Sequence, residues 1–174
     1  MDRSVSRWQL AGFLFTALAG TGLHFLFDLT GGNVIAGLFS AVNESIWEHM
    51  KLLYFPALLF SLWEYRLWGR ETRCFWTIKA LGLGLGLVLI PVLFYTYTGA
   101  LGVFADWFNV TIFFLAAGAM YYLQARLFSQ GLGCKGYGWV LFVLVGALFV
   151  AFTFWTPRLP LFRDPITGTY GYQG

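Results

Sequence analysis

Asn43-Glu44-Ser45-Ile46-Trp47-Glu48-His49-Met50-Lys51 sets two carboxylates, an imidazole, an ammonium and an amide at the head of an apolar segment. Glu44 and Glu48 are four residues apart and share a face if this segment is helical, as His24 and Asp28 do upstream. Lys51 lies one turn beyond Glu48, close enough to neutralise it, while His49 is rotated by roughly 100° from Glu48. Carboxylate and imidazole together ligate divalent metals, Zn²⁺ being favoured by this pairing. They also relay protons near neutral pH or act as general acid and base. Two overlapping sets follow as expectations: Glu44, Glu48, His49 and Lys51 for catalysis, and His24, Asp28, Glu48 and His49 for a metal such as zinc. The competing expectation is structural, with Glu44 complementing a helix N-terminus and Glu48–Lys51 forming a pair that permits burial. The spacing is neither HExxH nor Glu-x-x-His, and no CxxC, Walker or GxSxG motif occurs.

The surrounding chain makes such groups expensive. Its 174 residues are 59% hydrophobic, 21% aromatic and 11% charged. Soluble domains carry about 25% charged residues, so the composition points to an integral membrane protein, where each ionisable group needs a partner or a purpose. The net charge of +3 comes from short clusters between apolar runs, without the aromatic-basic interleaving of a nucleic-acid surface, so no nucleic-acid partner is expected.

The elements that must position these residues form an all-α bundle of about five transmembrane helices, at about 8–29, 44–68, 75–97, 104–128 and 137–155. A short re-entrant or interfacial segment after the first helix covers Val34 to Phe39. The polar tail 157–174 is broken by Pro157, Pro160, Pro165 and Gly168 and excludes a sixth helix. The first helix resembles a signal peptide ending in Ala17-Leu18-Ala19, but its apolar run is longer than a signal core and reads as uncleaved. Ser40 or Asn43 offers an N-cap to the second helix, and Pro56 frees the carbonyl of Leu52 inside it. Gly82 and Gly86 suit close helix packing. Glu64 is assigned to a neighbouring arginine, and Asp106 with Asn109 to capping the fourth helix. The hydroxyls of Thr96, Tyr97 and Thr98 fall at the end holding the polar run.

With the N-terminus cytoplasmic and the C-terminus extracytoplasmic, the inner side holds Arg3, Arg7, Arg66, Arg70, Arg73, Lys79, Arg126 and Lys135. The outer side holds Lys51, Arg158 and Arg163, which satisfies the positive-inside rule. Asp2, Glu64 and Glu71 stay on the inner side. Cys74 and Cys134 also fall inside, where thiols stay reduced, so no disulfide is expected.

Two stretches carry a resemblance: Phe39 to Leu52, with its Asn-Glu-Ser-x-Trp-Glu-His-x-Lys-Leu core, and the tail Pro160 to Gly171, Pro-Leu-Phe-x-Asp-Pro-x-Thr-Gly-x-Tyr-Gly. Both resemble the signatures of an uncharacterised prokaryotic family of small multi-pass membrane proteins. The resemblance implies a protein of the cytoplasmic membrane and assigns no activity. The functional expectation is therefore an outward-facing polar pocket doing metal-assisted or acid/base chemistry on a lipid or small amphiphile. The alternatives are a small proton or cation transporter or channel, and an accessory subunit, with an oligomer or a partner membrane protein.

Overall fold

A computed structural model describes residues 3–131 and 137–173 of the chain. Asp2, Cys134 and Lys135 lie outside the described residues. The fold is an all-α bundle. Helix α1 covers Arg3–Leu29, the short α2 Val34–Phe39, α3 Ile46–Leu67, α4 Phe75–Leu101, α5 Asp106–Ser129 and α6 Gly138–Phe154. Helices α1, α4 and α5 are long and apolar enough to cross a membrane, and α6 is apolar but shorter. Many of their leucines, valines and tryptophans face outward, among them Leu18, Val88 and Leu115. An apolar exterior of this kind belongs in hydrocarbon.

Punctuation of the chain follows backbone chemistry. After α1 the chain turns through Gly31 and Gly32, both at positive φ, and their N–H groups cap the carbonyls of Asp28 and Phe27. Asn33 then caps α2, accepting hydrogen bonds from the N–H groups of Ile35 and Ala36. Helix α3 is capped by Ser45, not by Ser40 or Asn43: its hydroxyl accepts the N–H of Glu48. Ser40 instead donates to the Ala36 carbonyl at the end of α2, and Asn43 folds an Asx turn onto the N–H of Ser45. The cap therefore falls two residues later than the nearer expected position, because Asn43 satisfies the loop rather than the helix.

Helix α3 runs through the middle of the bundle, packed on α1, α4 and α6. Its residues Leu52, Leu53, Tyr54, Phe55, Pro56, Ala57 and Phe60 are all buried. Small residues let the neighbours close on it. A Cβ on Gly20 of α1 would stand 2.6 Å from the Leu52 carbonyl, the acceptor released by Pro56. Gly82 and Gly86 of α4 lie against Gln124 and Met120 of α5. Gly138 begins α6 against the backbone of Trp76 and Thr77. A side chain there meets main-chain atoms that cannot rotate away. Gly138→Ala should therefore cost about 1–3 kcal/mol, measured as a lower Tm of detergent-purified protein.

One covalent link overturns an expectation. Cys74 is disulfide-bonded, and Cys134 is the only other cysteine of the sequence. The start of α4 packs on the start of α6, at Gly138. Cys74, at the only positive φ among the described non-glycine residues, sits buried at the start of α4.

Candidate functional site

The turn after α1 and the irregular segment before α3 bring the polar run of residues 43–51 beside the end of α1. There the sequence-selected residues divide into two groups facing different surroundings.

The first group is His24, Glu44 and His49. One ligand atom from each lies within 4.8 Å of the others, and the two imidazole centroids are 5.2 Å apart. His49 is oriented from two sides. Its Nδ1 lies 2.9 Å from the Ser45 carbonyl, one turn back. A carbonyl only accepts, so Nδ1 carries the proton and donates. Nε2 then faces the Glu44 carboxylate at 3.4 Å. That position serves either a second proton, giving an imidazolium–carboxylate pair, or a metal ion. An imidazole that donates its remote N–H to a backbone carbonyl while turning the other nitrogen inward is the usual posture of a metal-ligating histidine. His24 contributes a buried Nδ1 with no hydrogen-bond partner. Its contacts are with rings, Phe25 at 5.0 Å and His49. A buried ring nitrogen without a partner costs free energy that a bound metal would recover. Two imidazoles and one carboxylate leave further coordination positions open, the donor set of catalytic zinc and non-haem iron sites.

Glu44 stands outside the helices and is tied down by the tail. The hydrogen bond from His49 holds its carboxyl below the usual range, against part burial that pushes the other way. Its backbone N–H approaches Asp164 Oδ2 at 3.5 Å. Burial raises Asp164, but N–H bonds from Ile166 and Thr167 outweigh it, and the carboxyl lies below its ordinary value. Asn43 donates from Nδ2 to the Gly171 carbonyl at 3.0 Å. Tyr172 donates its N–H to the Thr153 carbonyl at 2.8 Å. The tail is thus a folded strap over this end of the bundle. Asn43→Ala, which removes both the strap bond and the Asx turn, should lower stability by about 1–2 kcal/mol. The check is Tm, with increased proteolysis near the C-terminus.

The second group is Glu48 and Lys51. Lys51 is fully buried, and its ammonium donates to Glu48 Oε2 at 2.5 Å, the Gly37 carbonyl at 2.9 Å and Thr153 Oγ1 at 3.0 Å. Glu48 also accepts the N–H of Val42 at 3.1 Å, and its Oε1 lies 3.2 Å from Thr153 Oγ1. All three ammonium donors are engaged, and the pair ties α2, the loop and α6 to α3. The i,i+3 pairing is as the spacing requires; the side chains are occupied in holding elements together. Asp28 is exposed at the end of α1 and is not one of the three clustered ligands.

A third polar group, at the other end, was not assembled by the sequence reading. Glu64 pairs with Lys79 rather than with an arginine. Gln9 donates to Glu64 Oε1 at 2.8 Å, and Lys79 donates to Gln124 Oε1 at 2.9 Å. Helices α1, α3, α4 and α5 each supply one residue, and the ammonium is ringed by Phe60, Phe75, Tyr121 and Phe128 at 5.3 to 5.9 Å. Lys79 is therefore interior rather than a loop charge. The signal available was the isolation of Gln9 and Gln124 in apolar helices, since such residues turn inward. Between this group and Lys51 lies the aromatic and aliphatic stretch Leu52–Phe60 of α3. No polar side chain among the described buried residues of that stretch extends a path; the Tyr54 hydroxyl is spent on the Phe142 carbonyl.

Other hydroxyl and amide assignments also resolve. Asn109 accepts from the Tyr97 hydroxyl at 2.7 Å, and α5 begins without a side-chain cap. Thr96 and Thr98 donate to carbonyls of their own helix. None of the three hydroxyls faces the histidines.

A protein-family model described as "Family of unknown function (DUF6512)" matches residues 1–172. No curated protein matches the chain, and no solved structure does.

Proposed function

The chain belongs to this family of unknown function, and from that premise we propose a multi-pass membrane protein whose working centre is His24, Glu44 and His49. The centre binds a divalent transition metal, zinc first, and performs a metal-assisted hydrolytic or acid/base reaction on a lipid or small amphiphile at the membrane boundary. The observation that carries this reading is the convergence of three ligand atoms within 4.8 Å, one from α1, one from the pre-α3 loop and one from α3. His49 is already held by its second nitrogen. A bound metal would polarise an ester or phosphoryl oxygen or lower the pKa of a water; the two imidazoles and Glu44 would hold it, and the tail strap positions Glu44.

On this reading α1, α3, α4, α5 and α6 all span, and five spans would leave the two termini on opposite sides. Lys51 and Lys79 are neutralised inside the bundle. The remaining basic residues among those described are Arg3, Arg7, Arg66, Arg70, Arg73 and Arg126 at one end, and Arg158 and Arg163 at the other. The bias favours a cytoplasmic N-terminus and an extracytoplasmic metal centre. The Cys74 disulfide opposes it, being at the arginine-rich end, where thiols are ordinarily reduced. The charge bias acts on every loop during insertion, so we give it precedence. A membrane-impermeant maleimide applied to intact cells decides the orientation through a cysteine placed at Arg158 or Arg73.

The transporter reading finds less support. A path for ions needs polar groups that continue through the bundle, and Leu52–Phe60 interrupts them. The function is tested by loading purified wild-type protein with zinc in mixed lipid vesicles and following headgroup or acyl release by mass spectrometry. Release that needs both the metal and His49 supports the reading. Equal release by wild type and His49→Ala overturns it.

A further inference from the structure

The tail motif is only partly explained by its contacts with Glu44. Arg163, at an open position within that motif, makes none of those contacts. We propose that Arg163 and the cleft beside it bind the phosphate of an anionic phospholipid, whose acyl chains run down the apolar wall toward the bilayer.

The cleft is lined by Ile46 at the head of α3, Phe94 and Tyr95 near the end of α4, and Pro160, Arg163 and Pro165 of the tail. Five of the six are apolar or aromatic, and the sixth is the only full charge. Arg163 makes no ion pair among the described residues, whose pairs are those of His49, Lys51 and Lys79. The adjacent Asp164 does not neutralise it, because that carboxylate turns inward to the N–H groups of Glu44, Ile166 and Thr167. The arginine is nonetheless held. Residues 163 and 170 form an antiparallel bridge, Asp164 N–H bonds the Thr169 carbonyl, and Gly168 N–H bonds the Asp164 carbonyl. Gly168 sits at positive φ, and a Cβ there would lie 3.3 Å from Arg163 Nη2, so the bare glycine leaves room for the guanidinium. Phe162 anchors the preceding turn, its ring 4.8 Å from that of Trp47 and 5.5 Å from that of Phe152.

Geometry favours a lipid over a soluble phosphate. Tyr95 lies six residues before the end of α4, about 9 Å down the helix axis, and is 43% exposed. The cleft therefore opens sideways, toward the membrane, as well as toward the end of the bundle. A planar fork of N–H donors above an apolar wall matches a phosphodiester above its chains. This site does not depend on the metal centre, since Arg163 is not among its three ligands.

The test uses full-length protein in nanodiscs of phosphatidylcholine with or without phosphatidylglycerol, reading retained lipid by native mass spectrometry and stability by thermal shift. Wild type should retain phosphatidylglycerol preferentially and gain Tm from it. Arg163→Gln should weaken that retention about tenfold, with Arg158→Gln behaving as wild type and metal content unchanged in both. Equal retention of the two lipids by wild type overturns the proposal, whether or not Arg163→Gln folds. Equal losses in the two variants overturn it as well, by showing a diffuse charge effect. Displacement of the lipid by millimolar inorganic phosphate would assign the site to a soluble anion instead.

Discussion

Lys79→Met should destabilise the protein by about 3–5 kcal/mol, because it leaves the Glu64 carboxylate buried with its cation removed. Neither side chain has measurable exposure, so water cannot take over the missing interaction. Gln9 and Gln124 remain but supply only neutral dipoles. The double variant Lys79→Met/Glu64→Leu should regain most of that loss, since a packed apolar pair of similar volume is often no less stable than the ion pair it replaces. Thermal unfolding in detergent, followed by tryptophan fluorescence, checks both. If Lys79→Met unfolds at the wild-type temperature, the pair does not hold the four helices together. If the double variant is no better than the single one, the loss comes from packing around Phe60 and Tyr121 and not from charge.

His49→Ala should weaken zinc binding by more than about a hundredfold. Losing an outer-shell partner of a metal ligand typically costs 10–100-fold, and losing the ligand itself exceeds that. His24→Ala should do the same. Ser45→Ala should not, because Ser45 holds His49 through its backbone carbonyl, although it loses the cap on the Glu48 N–H. Glu48→Gln offers a further contrast: Glu48 pairs with Lys51 and Thr153, so its loss should lower Tm while the folded fraction binds metal as before. Competition with a zinc chelator of known affinity separates these outcomes. Equal affinity in wild type and His49→Ala would remove the metal reading and leave an imidazolium–carboxylate pair that fastens the loop to α3.

Much of the architecture was legible because the bilayer restricts the choices. Apolar runs of spanning length must be helices, the Thr30-Gly31-Gly32-Asn33 break stops the first, and the prolines of the tail prevent another. The i,i+3 pairing of Glu48 with Lys51 was equally readable. Which face each residue takes was not. His24 and His49 meet because the loop of residues 40–45 sets the rotation of α3 relative to α1, and no spacing rule covers an irregular loop. The same rotation turns Glu48 toward Thr153, a partner 105 residues away, and so separates it from the histidines. Glu44 was selected for catalysis but not as a metal ligand, because its place beside two imidazoles depends on that loop and on the strap. Lys79 looked like an interfacial charge by position alone. Its burial requires Gln9, Glu64 and Gln124 to arrive from three other helices, which is a tertiary fact. The disulfide failed for a different reason: it was excluded from the reducing character of one compartment, whereas Cys74 is disulfide-bonded.

Metal content of the purified wild-type protein, measured beside the His24→Ala/His49→Ala variant, tests the central claim most directly. About one zinc or iron per chain in wild type, absent from the folded variant, is the predicted result. Equal metal in the two, or none in wild type after exposure to zinc, would contradict it.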